Sequence, residues 1–197
     1  DVYKRQTYGP IADWDTSQVT DMSQLFKDKT TFNDALTNWD TSLVTDMSHM
    51  FRSCSNFDQS VNFDTSSVTE MNSMFDNCLV FDQIVNFDTS SVTNMYSMFG
   101  YCRAFNSDVS FNDTSSVTNM GFMFRDCSIF NQPLDFDTSS VTEMSYMFLS
   151  CSNFDQPLDF DTSSVKNMTS MFGHCSSFNQ PLDFDTSSVT NMSLLFY

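Results

Sequence analysis

The chain has 197 residues, with 25 Asp and Glu against 8 Lys and Arg and a formal net charge of −17. Without a basic cluster, that balance repels a phosphate backbone and excludes nucleic acid as a partner. The 22 Phe and 14 Met make the chain too apolar for a disordered acidic tail, so it is expected to fold. No apolar run reaches the roughly 18 residues of a membrane span, so no membrane insertion is expected within this segment.

In chain order, the opening DVYKRQ fits none of the later columns, and residues 1–8 read as a non-native leader. Residues 9–197 read as one repeat solenoid domain, a fragment uncapped at both ends. Its landmark is a valine at Val19, Val44, Val68, Val92, Val117, Val141, Val165 and Val189, spaced by 24 or 25 residues. The extra residue of the long intervals falls at Thr37 or Asn38 and at Asn112, beside a turn where insertions cost little. A period of this size means stacked repeats.

Each unit begins with a turn, written FDTSSVT at residues 63–69 and closely repeated in the others. Its aspartates form a column: Asp15, Asp40, Asp64, Asp88, Asp113, Asp137, Asp161 and Asp185. Carboxylates stacked about 5 Å apart repel by roughly 0.8 kcal/mol in water, more near a protein. They must therefore stay wet, accept hydrogen bonds or bind cations. An Asx turn feeding the next element is the expected use, with calcium as the sharper alternative.

Next comes VTEMNSMFDNC, in which Met71, Met74, Phe75 and Cys78 fall at i, i+3, i+4 and i+7. That spacing predicts a helix of two to three turns, and Ser67 with Glu70 has the form of a capping box. After the cysteine the period becomes two. In FNQPLDFD, Phe130, Leu134 and Phe136 alternate with polar residues, which predicts a short strand. Pro133, Pro157 and Pro181 push its regular pairing to about residues 134–137.

Strands stack about 4.8 Å apart but helices about 8 to 10 Å. The expected architecture is therefore α/β, a right-handed leucine-rich-repeat-like solenoid of about eight 24-residue units. Short parallel strands line its concave side and short helices the other.

Six cysteines, at 54, 78, 102, 127, 151 and 175, share one column. At helix spacing they lie beyond the roughly 7 Å that a disulfide tolerates and read as buried free thiols. They lack the local pairs of a zinc site. His49 and His174 sit at unrelated positions far apart along the stack and read as surface residues, which leaves no base within reach of a nucleophile. No catalytic residue, cofactor or metal ligand is assigned, and the chain reads as a non-enzyme.

Function in a repeat protein is sought where columns vary. Tyr96, Tyr101, Phe122 and Tyr146 replace small or polar residues at outward positions of the middle units. They are the candidate partner-binding residues. A second candidate surface aligns Asp135, Asp159 and Asp183 with Gln132, Gln156 and Gln180. Two threonine columns, including Thr65, Thr89 and Thr138 and then Thr69, Thr93 and Thr142, raise ice binding as a minor alternative that Lys166 interrupts.

The phrase FDTSSVTxMxxMFxxCxxF, with units such as FNQPLDFDTSSVTNMSLLF at residues 178–196, resembles the bacterial surface protein repeat of about 26 residues found in mycoplasma and listerial lipoproteins, related to BspA-type leucine-rich repeats. The resemblance runs from Ile11 to Tyr197 and implies surface exposure, adhesion and protein binding without a general reaction. The expected function is thus a non-catalytic, extracellular or cell-surface module that binds a protein or cell-surface ligand. The alternative is a spacer without a ligand.

Overall fold

The computed structural model describes residues 9–197. The leader assigned to residues 1–8 lies outside them. The tandem units are laid one on another in sequence order. Seven parallel bridges join the same position of each unit to the next, from Asp21↔Asp46 through Glu70↔Asn94 to Asn167↔Asn191.

The helices expected after each turn are absent. Apart from a single 3-10 turn at Ile11–Asp13, no helix occurs among the described residues. In their place runs a chain of overlapping turns with a left-handed residue at every fourth position: Ser73 (φ 54°) and Asn77 (φ 62°), Ser97 (φ 54°) and Tyr101 (φ 60°). Alternate amides are bonded differently. Met74, Asp76 and Cys78 donate back three residues within the layer, to Met71, Ser73 and Phe75. Met71, Ser73, Phe75 and Asn77 instead donate to Asn94, Tyr96, Met98 and Gly100 of the next layer.

The i, i+3, i+4, i+7 pattern located the inner face correctly, since Met71, Met74, Phe75 and Cys78 are all fully buried. The pattern left the backbone open, because a turn that repeats every four residues brings the same positions inward. Hydrogen bonding between layers decided it. A helix satisfies its own amides and holds its neighbour about 8 to 10 Å away, whereas these turns share amides across layers and close the gap.

The gap is visible in the rings. Phe51, Phe75, Phe99, Phe124, Phe148 and Phe172 stack with centroids 5.6–5.8 Å apart and planes within 9° of parallel. A second file, Phe57, Phe81, Phe105, Phe130 and Phe154, runs beside it at 5.7–6.0 Å. With close spacing on the turn side as well, the mismatch that called for an arc is gone. Each buried Phe contributes about 1.5 to 3 kcal/mol, and each ring is covered mainly by its copies above and below.

Strands also fall elsewhere than expected. Among the described residues the two strands are β1, Val85–Phe87, and β2, Val109–Phe111, paired in parallel with Val85 opposite Val109. Residues 134–137 form none. Both strands lie in units without proline at the preceding position and carry a valine there. Val61, in another proline-free unit, is unpaired in this sense, so freedom from proline permits the ladder without compelling it. A side-chain ladder runs beside this edge in units with and without strands. The carboxyl or amide oxygen of Asn33, Asp58, Asp82, Asn106, Asn131 and Asp155 accepts the backbone N–H of the corresponding residue in the next layer, at 2.8–3.0 Å.

Candidate functional site

The repeated polar columns are occupied with holding the stack. All eight aspartates of the turn column accept the N–H of the serine two residues on, from Ser17 to Asp15 through Ser187 to Asp185, at 2.8–3.1 Å. Hydrogen bonds from that serine hold the carboxyls of Asp15, Asp88 and Asp137 below the ordinary carboxylate range. Thr65, Thr89 and Thr138 are buried, and their hydroxyls donate to the backbone carbonyls of Asp88, Asp113 and Asp161 one layer on. These three threonines present no surface to ice. Thr69 and Thr142 are exposed, but each donates its hydroxyl to a carbonyl of the preceding layer.

The six thiols are unbridged. Each donates to a buried phenylalanine carbonyl of the preceding layer, as Cys78 to Phe51 and Cys102 to Phe75, both at 3.0 Å. Helix spacing does not keep them apart, because there are no helices. Here the cysteine acts as a small apolar side chain with one weak donor. Burial raises Cys54 to about 11 and Cys175 to about 12, and the interior thiols well above their ordinary value. They are neutral and poorly nucleophilic. Among the described residues, no group of three or more His, Cys, Asp or Glu side chains could hold a metal ion. The glutamines of the second candidate surface are engaged too, since Gln132, Gln156 and Gln180 donate to Asn106, Asn131 and Asp155.

One face departs from this regularity. A cleft of about 320 Å³ spans the second to fifth layers, with His49, Arg52, Asp76, Tyr96, Tyr101 and Arg125 among its lining residues. It exists because one column reads Arg52, Asp76, Gly100, Arg125 in successive layers. At Gly100 a Cβ would run into Ser97 Oγ and lie 2.8 Å from Asp76 Oδ1. A side chain there would therefore both fill the gap and break the hydrogen bond from Ser97 to Asp76, 3.1 Å long.

Asp76 forms the floor, only 8% exposed. Burial pushes its carboxyl above the ordinary value, and Ser97 and Arg52 partly offset that. Arg52 meets Asp76 through Nε at 3.1 Å. On the far wall, Arg125 meets Asp126 through Nε at 3.1 Å and lays its guanidinium over the rings of Tyr101, at 4.8 Å, and Phe122, at 5.5 Å. The terminal amino groups of both guanidiniums make no hydrogen bond among the described residues.

The four aromatic candidates meet here, on turns where helices were expected. Phe122 contacts Tyr96 at 5.1 Å and Tyr146 at 4.5 Å between ring centroids, and Tyr101 joins them through Arg125. Tyr101, Phe122 and Tyr146 have φ of 60°, 61° and 58°. Their columns elsewhere hold residues such as Asn77, Ser97, Asp126 and Ser170. Bulky aromatics in the left-handed region cost on the order of 1 kcal/mol each, and such strain concentrates at functional sites.

Sequence reasoning missed Arg52, Asp76, Gly100, Arg125 and His49 as site residues. The available signal was a column that varies beside the invariant Phe file. His49, expected on the surface, is half-buried: Nε2 lies 3.3 Å from Asn72 Nδ2, and Nδ1 is buried without a partner. Burial, then Arg52 and Lys27, lower its pKa, so it is neutral at pH 7. His174 is exposed and packs against Tyr197 at 5.2 Å.

Residues 2–85, 61–135 and 134–197 match the family model described as Mycoplasma protein of unknown function, DUF285. No curated protein and no solved structure matches the chain.

Proposed function

The chain belongs to this Mycoplasma repeat family of unknown function, and we propose that it is a non-catalytic binding module, displayed outside the cell, whose contact surface is the aromatic row Tyr96, Tyr101, Phe122 and Tyr146. The partner is a protein or cell-surface ligand. The observation that carries this reading is the conjunction of those four residues. They stand at three different repeat positions over three layers, yet Tyr96, Phe122 and Tyr146 form one run of rings that Arg125 joins to Tyr101, and three of the four are in a conformation that bulky residues avoid. Aromatic and arginine side chains are the usual anchors of an interface.

The same reading winds the layers as one right-handed solenoid related to BspA-type repeats; the parallel pairing of β1 with β2 supports the winding alone, because such crossovers are right-handed. A spacer without ligand is the competing function. It predicts no specific retention, whereas a binding module retains a partner from a solubilised surface fraction. Retention by the native chain that survives alanine at all four aromatics would remove the row as the contact surface.

A further inference from the structure

We propose that the cleft at Gly100 is a subsite for a single sugar ring bearing a carboxylate, with Arg52 and Arg125 holding the acid and the aromatic wall stacking on the ring. The inference deepens the binding-module reading and rests on it. At about 320 Å³, the cleft is at the small end of ligand sites, which run from about 300 to 1,000 Å³. One ring fits it better than a peptide.

Both arginines spend only Nε on their aspartates. Their terminal amino groups are left as a fork that matches a carboxylate in two-point geometry. Arg52 and Arg125 are held still, one by Asp76 and the other by Asp126 and two rings, so little freedom is lost on binding. The apolar face of a pyranose packs against Tyr101 and Phe122. Asn72 and Ser97 in the lining offer polar groups to its hydroxyls.

Charge narrows the class further. Of the Lys and Arg after residue 8, at 27, 29, 52, 103, 125 and 166, two line the cleft and Lys27 is near enough to depress His49. Asp76 and Asp126 offset the two arginine charges, so a compact monoanion is drawn by the unused N–H donors of the guanidiniums rather than by a broad field, while an acidic peptide or polyanion would spread its charge over a surface that carries −17 overall.

The test is calorimetric titration of the whole chain, at low ionic strength, with glucuronic acid, with glucose as its neutral match, and with a glycan ending in glucuronic acid. Glucuronic acid is expected to bind at least about tenfold tighter than glucose, with Arg52→Gln and Arg125→Gln each losing about tenfold or more. Arg125→Gln guards against misfolding, because its partner Asp126 is only half-buried, and its unfolding temperature should stay native. Tighter binding of the glycan than of the free acid assigns the site to a surface glycan, and the reverse to a free sugar acid. Equal affinity for glucose and glucuronic acid, no heat with either acid, or unchanged affinity in both arginine variants overturns the subsite. Capture of a surface partner through the aromatic row would still stand in each of those cases.

Discussion

In the turn at residues 136–142, Asp137, Thr138, Ser139 and Thr142 all have a hydrogen-bond partner in their own layer or an adjacent one. Around Gly100 the same stack presents two half-used guanidiniums, a buried carboxylate and rings on strained backbone. The first region is nearly identical in every unit, and the second occurs once. Repetition marks side chains committed to holding layers together, where a change is felt in stability. Departure from the repeat marks side chains whose remaining valence faces outward, where a change is felt in binding.

The largest effect is expected at the thiols. Unfolded thiols release their protons near pH 9, while the buried ones hold theirs to well above it. The unfolded state then binds fewer protons, so stability is complete below about pH 9 and falls as pH rises beyond it. The slope is about 1.4 kcal/mol per pH unit for each of Cys78, Cys102, Cys127 and Cys151. Urea midpoints measured from pH 7 to 11 should show this steep alkaline decline, and replacing Cys102 and Cys127 with alanine should roughly halve its slope. A flat native profile would contradict the committed role of the column.

Two neighbouring phenylalanines sharpen the contrast. Phe124→Ala empties one place in the stacked file between Phe99 and Phe148 and should cost about 3 to 5 kcal/mol by denaturant unfolding. Phe122→Asn, two residues away, exchanges half-buried ring contacts for a residue suited to φ 61°. Its stability should change by no more than about 1 kcal/mol, while partner retention is lost. Equal destabilisation by the two would mean that the aromatic row is structural.

The smallest expected effect is at His49, whose buried Nδ1 has no partner. His49→Ser installs the residue used at the same position in the next two layers, Ser73 and Ser97. It should raise the unfolding free energy by about 1 kcal/mol, read from the same denaturant curves. The lowered pKa of His49 also means that the native chain loses stability as pH falls through about 6.5, since the unfolded histidine protonates first. The variant should lack that loss.

The valine spacing alone showed eight like layers, and the columns of Met, Phe and Cys alone showed what lies inside them. Side-chain burial follows from periodicity, whatever backbone carries it. Whether Met71 to Cys78 became a helix or a run of turns could not be read there, because both point the same residues inward. Contact with the next layer decided between them, by supplying acceptors to alternate amides. The cleft was likewise hidden, since Arg52, Gly100 and Arg125 are 48 and 25 residues apart along the chain and become neighbours only when layers stack. Composition and period settle what is common to every unit, and only packing across units brings together what is singular.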